Sequence, residues 1–325
     1  MPEPLPKRYA EPPAAVRDGV PEYQPVAWVN EKTGVKEPYF PEPNLVAAVQ
    51  VAQILNRPIL LTGEPGTGKT ALARSVAADL GVPLHRFDTK STSESRDLFY
   101  HYDAIEHFRQ RQTTGEARPV TEYLEIRALG KAIIQSMEPN QATGMFGWTG
   151  TPTRSVVLID EIDKAPRDFP NDLLNELENH RFRIRELQLK EASFEAPPER
   201  KPLIVITSNS EKNLPEAFLR RCIYHDLSFP SDQELRRIVA SRVPEAAAEP
   251  WLNAALGFFA RVRDHSGLQK RPATAELLDW LYVLKINGLG DFGAQKPMIA
   301  KTLGALFKWE DDLKAGKKML EDGAA

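Results

Sequence analysis

Gly63-Glu64-Pro65-Gly66-Thr67-Gly68-Lys69-Thr70 is a glycine-rich turn with the spacing G-x-x-x-x-G-K-[ST]. Before it stands the short apolar run Ile59-Leu60-Leu61, set off by Arg57-Pro58; after it Leu72, Val76 and Leu80 recur at helical spacing until Gly81. The order strand, loop, helix gives the glycines a purpose. Without a Cβ they let backbone N–H groups turn inward on an anion. The N-terminus of the following helix adds partial positive charge. The spacing therefore predicts a phosphate cradle made by Gly63, Glu64, Pro65, Gly66, Thr67 and Gly68 with the first helical residues Lys69, Thr70 and Ala71. Lys69 is expected on the β- and γ-phosphates and Thr70 on Mg²⁺. Such a loop reads phosphates and leaves the base open, so ATP is the expected nucleotide and GTP the alternative.

Working outward, Val156-Val157-Leu158-Ile159 is a second apolar run, and it ends in Asp160-Glu161. An apolar strand interior leaves both acids at the carboxyl edge of a sheet, where open α/β sheets bind ligands. Asp160, with Thr70, is the expected metal residue, and Glu161 the group that polarises an attacking water. A third run, Leu203-Ile204-Val205-Ile206, ends in Thr207-Ser208-Asn209. Weaker strand candidates are Leu84–Phe87 and Ile223–Phe229. Five strands alternating with helices predict an α/β fold with a five-stranded, doubly wound parallel sheet. A whole crossover unit needs about 30 residues, yet 66 lie between Asp88 and Ser155. An insertion is therefore expected at about 91–153.

After Phe229-Pro230 the strand signals stop. Ser231 with Glu234 fits a capping box, and helices fit around Trp251–Val262, Thr274–Ile286 and Ile299–Ala315. Upstream, Asn44 is the expected cap of a helix through Val46, Val49, Ala52 and Leu55. Residues 1–43 hold 10 of the 27 prolines, which bars regular helix and central strand. The expected organisation is a Pro-rich extended arm over 1–40, an α/β nucleotide domain over 41–230 and an all-helical lid over 231–325. The arm is expected either to be disordered or to pack on a neighbouring subunit, with Trp28, Tyr39 and Phe40 favouring docking.

Composition limits the remaining classes. The net charge is −3 and the pI about 6.1, so no bulk field draws the chain to nucleic acid. Cys222 is the single cysteine, which excludes an intramolecular disulfide, and no Cys/His cluster has metal-ligand spacing. No apolar run reaches the about 18 residues of a membrane span, and Met-Pro-Glu-Pro-Leu-Pro lacks the apolar core of a secretory signal. A cytoplasmic protein with no membrane partner and no nucleic-acid partner is expected.

Taken together, the phosphate loop, Asp160-Glu161, Asn209 and Arg220-Arg221 resemble AAA+ ATPases. The wording Asp160-Glu161-Ile162-Asp163-Lys164-Ala165-Pro166, Leu173-Leu174-Asn175-Glu176-Leu177-Glu178 and Leu214-Pro215-Glu216-Ala217-Phe218-Leu219-Arg220-Arg221 is similar to the MoxR branch, over roughly 41–310. Asp163-Lys164 departs from the Asn-Arg usual there. The resemblance implies that Asn209 senses the γ-phosphate. It implies that Arg221, with Arg220 as runner-up or helper, is donated in trans to a neighbour's ATP. Ala275 stands where many relatives carry a lid arginine, so Arg271 is the substitute. The resemblance further implies a homo-oligomeric ring, a hexamer, acting on a protein client with a von Willebrand factor A-domain partner. The resemblance implies a pore-facing loop after the second strand, with Phe99 and Tyr100 as candidates to grip a polypeptide; aromatics that pack the insertion are the favoured alternative. Gly144–Trp148 reads as a second exposed aromatic stretch and a mobile loop. Arg181–Leu187 with Glu191–Lys201 reads as a hairpin, for which the resemblance implies a substrate or partner surface. Two other readings stay open: a nucleotide-dependent switch or scaffold in a bacterial multi-protein system, defence included, and a DNA-acting motor, which the acidic pI disfavours.

Overall fold

The computed structural model describes residues 23–29, 34, 36–114, 118–187 and 193–323. They fall into two compact units. The first holds 23–28, 41–63 and 69–227; the second holds the described part of 29–40, residues 64–68 and 228–323.

The first unit is built on five strands: β1 (Ile59–Gly63), β2 (Leu84–Asp88), β3 (Val156–Asp160), β4 (Leu203–Thr207) and β5 (Ile223–Leu227). All pair in parallel, in the order β5-β1-β4-β3-β2. Strands β3 and β4 are buried at every position, as a sheet covered on both faces requires, and this is why they read as unbroken apolar runs. The edge strand β2 mixes Leu84, His85, Arg86, Phe87 and Asp88 and is only partly buried.

Helix α1 (Pro43–Leu55) leads into β1. Its N-cap is Glu42, not the expected Asn44: Pro43 occupies the first helical position, where its fixed φ and missing N–H cost nothing, and that carries Asn44 inside. Helix α2 (Lys69–Leu80) follows the phosphate loop and ends before Gly81. Tyr23, fully buried, donates to Ser75 Oγ on α2 at 2.7 Å, and Ser75 Oγ donates to Val26 O at 3.2 Å. The end of the proline-rich arm thus docks on its own chain over Tyr23–Trp28; residues 1–22 lie outside the described ones.

The long connection between β2 and β3 resolves into a crossover helix with extra chain on both sides. Helix α3 (Ala128–Ser136) packs on β2 and β3. Ahead of it, Tyr100–Tyr102 pairs antiparallel with Leu124–Ile126, and a helix spans Ala104–Thr114. Phe99 and Tyr100 pack within the insertion, as the favoured reading expects, and do not face outward as a pore grip. Both are buried, and the Phe99 ring stacks on Phe182 at 5.2 Å. Burying aromatic area outweighs exposing it here. In Gly144–Trp148, Phe146 meets Phe194 edge-on at 5.8 Å, and Trp148 Nε1 donates to Met137 O at 3.0 Å. The hairpin pairs Arg181–Arg183 with Ser193–Glu195; residues 188–192 lie outside the described residues.

From residue 228 on, the second unit is helical. Helix α4 (Asp232–Arg242) opens with the capping box, Ser231 N donating to Glu234 Oε2 at 2.8 Å and Glu234 N to Ser231 Oγ at 3.4 Å. Helices α5 (Leu252–Asp264) and α6 (Thr274–Ile286) follow, and Phe258, Phe259 and Trp280 fill their shared core. The single helix expected over Ile299–Ala315 is two, α7 (Lys296–Thr302) and α8 (Glu310–Asp322). Glu310, Asp311 and Asp312 explain the restart, since acids favour a helix N-terminus. Asp312, 1% exposed, accepts the backbone N–H groups of Gln269 and Lys270. Among the described residues no helix is long and apolar enough to cross a membrane.

Candidate functional site

The carboxyl ends of β1, β3 and β4 place the chemistry. Gly63 ends β1 at φ +126°, and a Cβ there would lie 2.4 Å from Leu227 O on β5, so both conformation and space demand glycine. Gly66, at φ +79°, sits at the bend of the loop. Thr67 Oγ1 closes the turn by donating to Glu64 O at 2.9 Å. Tyr39 lies beside Gly68, where a Cβ would come within 3.1 Å of its ring. Glu64 and Pro65 are exposed, and Ala71 is half-buried in the first turn of α2.

Lys69 is 7% exposed and its Nζ donates to Gly63 O at 2.6 Å. Burial pushes its ammonium below the ordinary lysine range, while the carboxylates of Asp163, Asp160 and Glu161 push it back up. The cation is therefore held at the mouth of the loop, with negative charge behind it.

Asp160 is buried at the end of β3 and gathers three partners. Thr70 Oγ1 donates to its two oxygens at 3.1 and 3.3 Å. Thr207 Oγ1 on β4 donates to Oδ1 at 2.6 Å, and Arg86 on β2 places Nη2 2.9 Å from Oδ2. Glu161 follows in the left-handed region at φ +55°, a conformation that costs an ordinary side chain about 1–2 kcal/mol. Its N–H donation to Thr207 Oγ1 at 2.8 Å helps to fix it there. The strain turns the Glu161 carboxylate toward Asn209, whose Nδ2 donates to Oε1 at 3.1 Å. Lys164 Nζ lies 2.5 Å from Oε2, so the lysine that departs from the MoxR wording bears on Glu161 itself. Asp163, 2% exposed, accepts the N–H groups of Asn209 and Glu211 and pins the loop that carries Asn209.

These oxygen donors fit Mg²⁺. It takes one or two protein oxygens and completes its shell with water and phosphate, and the Thr70 hydroxyl and Asp160 carboxylate converge on each other. No cluster of three or more His, Cys, Asp or Glu that could hold a metal unaided occurs among the described residues.

The arginines lie on other partners. Arg221 Nε meets Glu178 Oε2 at 3.2 Å and its Nη1 donates to Ala217 O at 3.0 Å. Arg220 pairs with Glu216 one helical turn back. In the second unit Arg271 is half-exposed and 3.7 Å from Glu64 Oε1. Arg263, which the sequence reading passed over, binds the same carboxylate at 2.6 Å with its side chain 11% exposed. Its guanidinium lies 3.3 Å over the Phe229 ring. The signal for it was slight, an arginine one residue past the expected end of a helix. Thr207, Arg86 and Glu178 were also missed as partners of the site residues. Burial pushes the Cys222 thiol up to about 12, in keeping with a packed side chain rather than a nucleophile.

Comparison with known proteins bears on the family. The match to the ATP-dependent zinc metalloprotease FtsH 3 of Sorangium cellulosum is 45% identical over 80 residues, 23% of this chain and 12% of that protein. A mitochondrial Lon protease homologue of Phaeodactylum tricornutum is 30% identical over 164 residues, 50% of this chain and 15% of that protein. The chain thus spans less than a fifth of the curated relatives it matches. Among solved structures, the Holliday junction branch migration motor RuvB of Thermotoga maritima is 19% identical with a TM-score of 0.44, covering 81% of this chain and 67% of that one. Residues 59–230, more than half of the chain, match the family described as ATPase family associated with various cellular activities (AAA). The strand–loop–helix of β1 and α2 and the acids closing β3 lie inside that match, and the chain belongs to the AAA family of ATPases.

Proposed function

We propose that this ATPase is of the MoxR branch, and that it works as a homo-oligomeric ring coupling ATP hydrolysis to the remodelling or maturation of a protein client. The observation that carries the catalytic part is the meeting of Thr70, Asp160, Glu161 and Asn209 where three strands end. In this reading the loop from Gly63 to Ala71 holds the phosphates of ATP and Lys69 neutralises the β- and γ-oxygens. Thr70 and Asp160 would hold Mg²⁺, which when bound supplies charge neutralisation and in-line orientation. Glu161 orients water and takes its proton as the water oxygen attacks the γ-phosphorus. ADP leaves with the electron pair of the broken bond, and inorganic phosphate forms. Asn209 links the Glu161 carboxylate to the γ-phosphoryl without adding charge.

The ring is supported by the arginines at the end of the short helix Glu216–Leu219. The Arg220 side chain is 74% exposed and that of Arg221 40%. Arg221 would exchange Glu178 for the γ-phosphoryl of ATP in the adjacent subunit, where a planar, permanent cation matches the spreading charge. Arg271 would read the nucleotide from the lid. The domain division at about residues 40 and 230, a von Willebrand factor A-domain partner and a cytoplasmic place belong to the same reading. The test is light scattering of Glu161→Gln with Mg²⁺ and ATP. A closed oligomer that ATP stabilises is expected; a monomer at every nucleotide concentration overturns the ring.

A further inference from the structure

Arg86 stands on the edge strand β2, in register with Leu158, and two residues further along Asp88 is paired in register with Asp160. The parallel ladder therefore brings two carboxylates side by side at the sheet's edge. One guanidinium lies between them: its Nε is 2.7 Å from Asp88 Oδ1 and its Nη2 is 2.9 Å from Asp160 Oδ2. The neighbouring Asp160 oxygen is already taken by Thr207 at 2.6 Å. At Oδ2 Arg86 lies nearer than Thr70, 2.9 against 3.3 Å, so a cation that claims this oxygen meets the guanidinium there. We propose that Arg86 is a positioning residue, a built-in counter-cation for Asp160 that Mg²⁺ must displace.

Two features make the exchange feasible. The Arg86 side chain is 43% exposed, against 9% for that of Asp160, so the arginine moves and the aspartate stays. It also has somewhere to go. Asp88 already holds its Nε, and a cavity of about 450 Å³ lined by Arg86, Asp88, Lys90, Ser93 and His101 adjoins it. Charge favours the same order of events. Without the guanidinium two adjacent carboxylates repel, whereas a divalent ion between nucleotide and Asp160 leaves Arg86 free to neutralise Asp88 alone.

The proposal rests on the nucleotide site described above, and its test separates the two. A fluorescent, non-hydrolysable ATP analogue is titrated with Mg²⁺ on wild type, Arg86→Gln, Arg86→Met and Arg86→Lys, and once in EDTA. The neutral variants are expected to reach half-maximal Mg²⁺-dependent binding at about three- to fivefold less Mg²⁺, the size of effect a half-exposed ion pair has. Arg86→Lys is expected to stay near wild type. Affinity in EDTA is expected to change less than twofold, which a general loosening of the fold would not spare. If Arg86→Met does not fold, Arg86→Gln, which keeps a hydrogen-bond donor, decides alone. An unchanged or raised Mg²⁺ midpoint in the neutral variants overturns the counter-cation role while leaving the nucleotide site standing. Wild type that binds the analogue with no Mg²⁺ dependence overturns the counter-cation role alone, and wild type that does not bind it at any Mg²⁺ concentration overturns both.

Discussion

Glu161 is the residue whose conformation carries the most information. A non-glycine side chain in the left-handed region persists only where its surroundings compensate, and here Thr207, Asn209 and Lys164 do so. Removing Asn209 leaves Glu161 with Lys164 and Thr207, and in the proposed mechanism without its link to the γ-phosphoryl. Asn209→Ala is expected to retain nucleotide affinity and to lose turnover by about 10- to 100-fold, measured as kcat against a binding isotherm; an equal loss in both would tie Asn209 to ground-state binding. Lys69→Ala is expected to abolish nucleotide binding in the same assay. A second residue-scale prediction concerns His180, 1% exposed between a helix end and the hairpin. Burial, with Lys201 nearby, pushes its imidazole down to about 4. Between the ordinary value near 6.5 and that point the unfolded chain binds a proton that the fold refuses. Stability therefore falls as pH drops through this window, by up to about 3 kcal/mol. His180→Asn, which tolerates the backbone at φ +50°, is expected to lose this slope in chemical denaturation at pH 4 to 7. A pH-independent difference between the two proteins would contradict it.

At the scale of elements, β1 and the turn after it allow no side chain at Gly63. Gly63→Ala combines a positive φ with a contact of 2.4 Å to a backbone oxygen that cannot swing away. The expected loss is about 2 kcal/mol or more, read as a lower denaturation midpoint, and an unaltered midpoint would show that β1 and β5 separate easily. The same elements explain what was legible in the sequence. Strands β1, β3 and β4 are covered on both faces and announce themselves as apolar runs, and the acids and Asn209 stand out because they interrupt those runs at one edge. Edge strand β2 is half-polar, so Arg86 reads as a solvated side chain until the ladder sets it beside Asp160. The break between α7 and α8 hides for a different reason. Helical spacing continues across it, and the turn is set by Phe307 packing against Gly316, a contact no local pattern displays. Phe99 and Tyr100 pack on Phe182, 83 and 82 residues further along the chain, so their burial is expected from apolar character while the partner that buries them is not.

For the whole molecule the account predicts cooperation between subunits. Mixing Arg221→Ala, which keeps its own nucleotide loop, with Lys69→Ala, which keeps its arginines, is expected to restore part of the ATPase rate that each lacks alone. Rates that never rise above the sum of the two would place Arg221 outside the neighbour's site. The central claim lies one level below that. It is that one nucleotide complex is gripped by Lys69, Thr70 and Asp160 while Glu161 prepares the water. Steady-state Mg²⁺-dependent ATP turnover of Glu161→Gln, at ATP concentrations shown to saturate it, tests this most directly. The account predicts at least about a hundredfold loss of kcat with binding intact; turnover equal to wild type would contradict it.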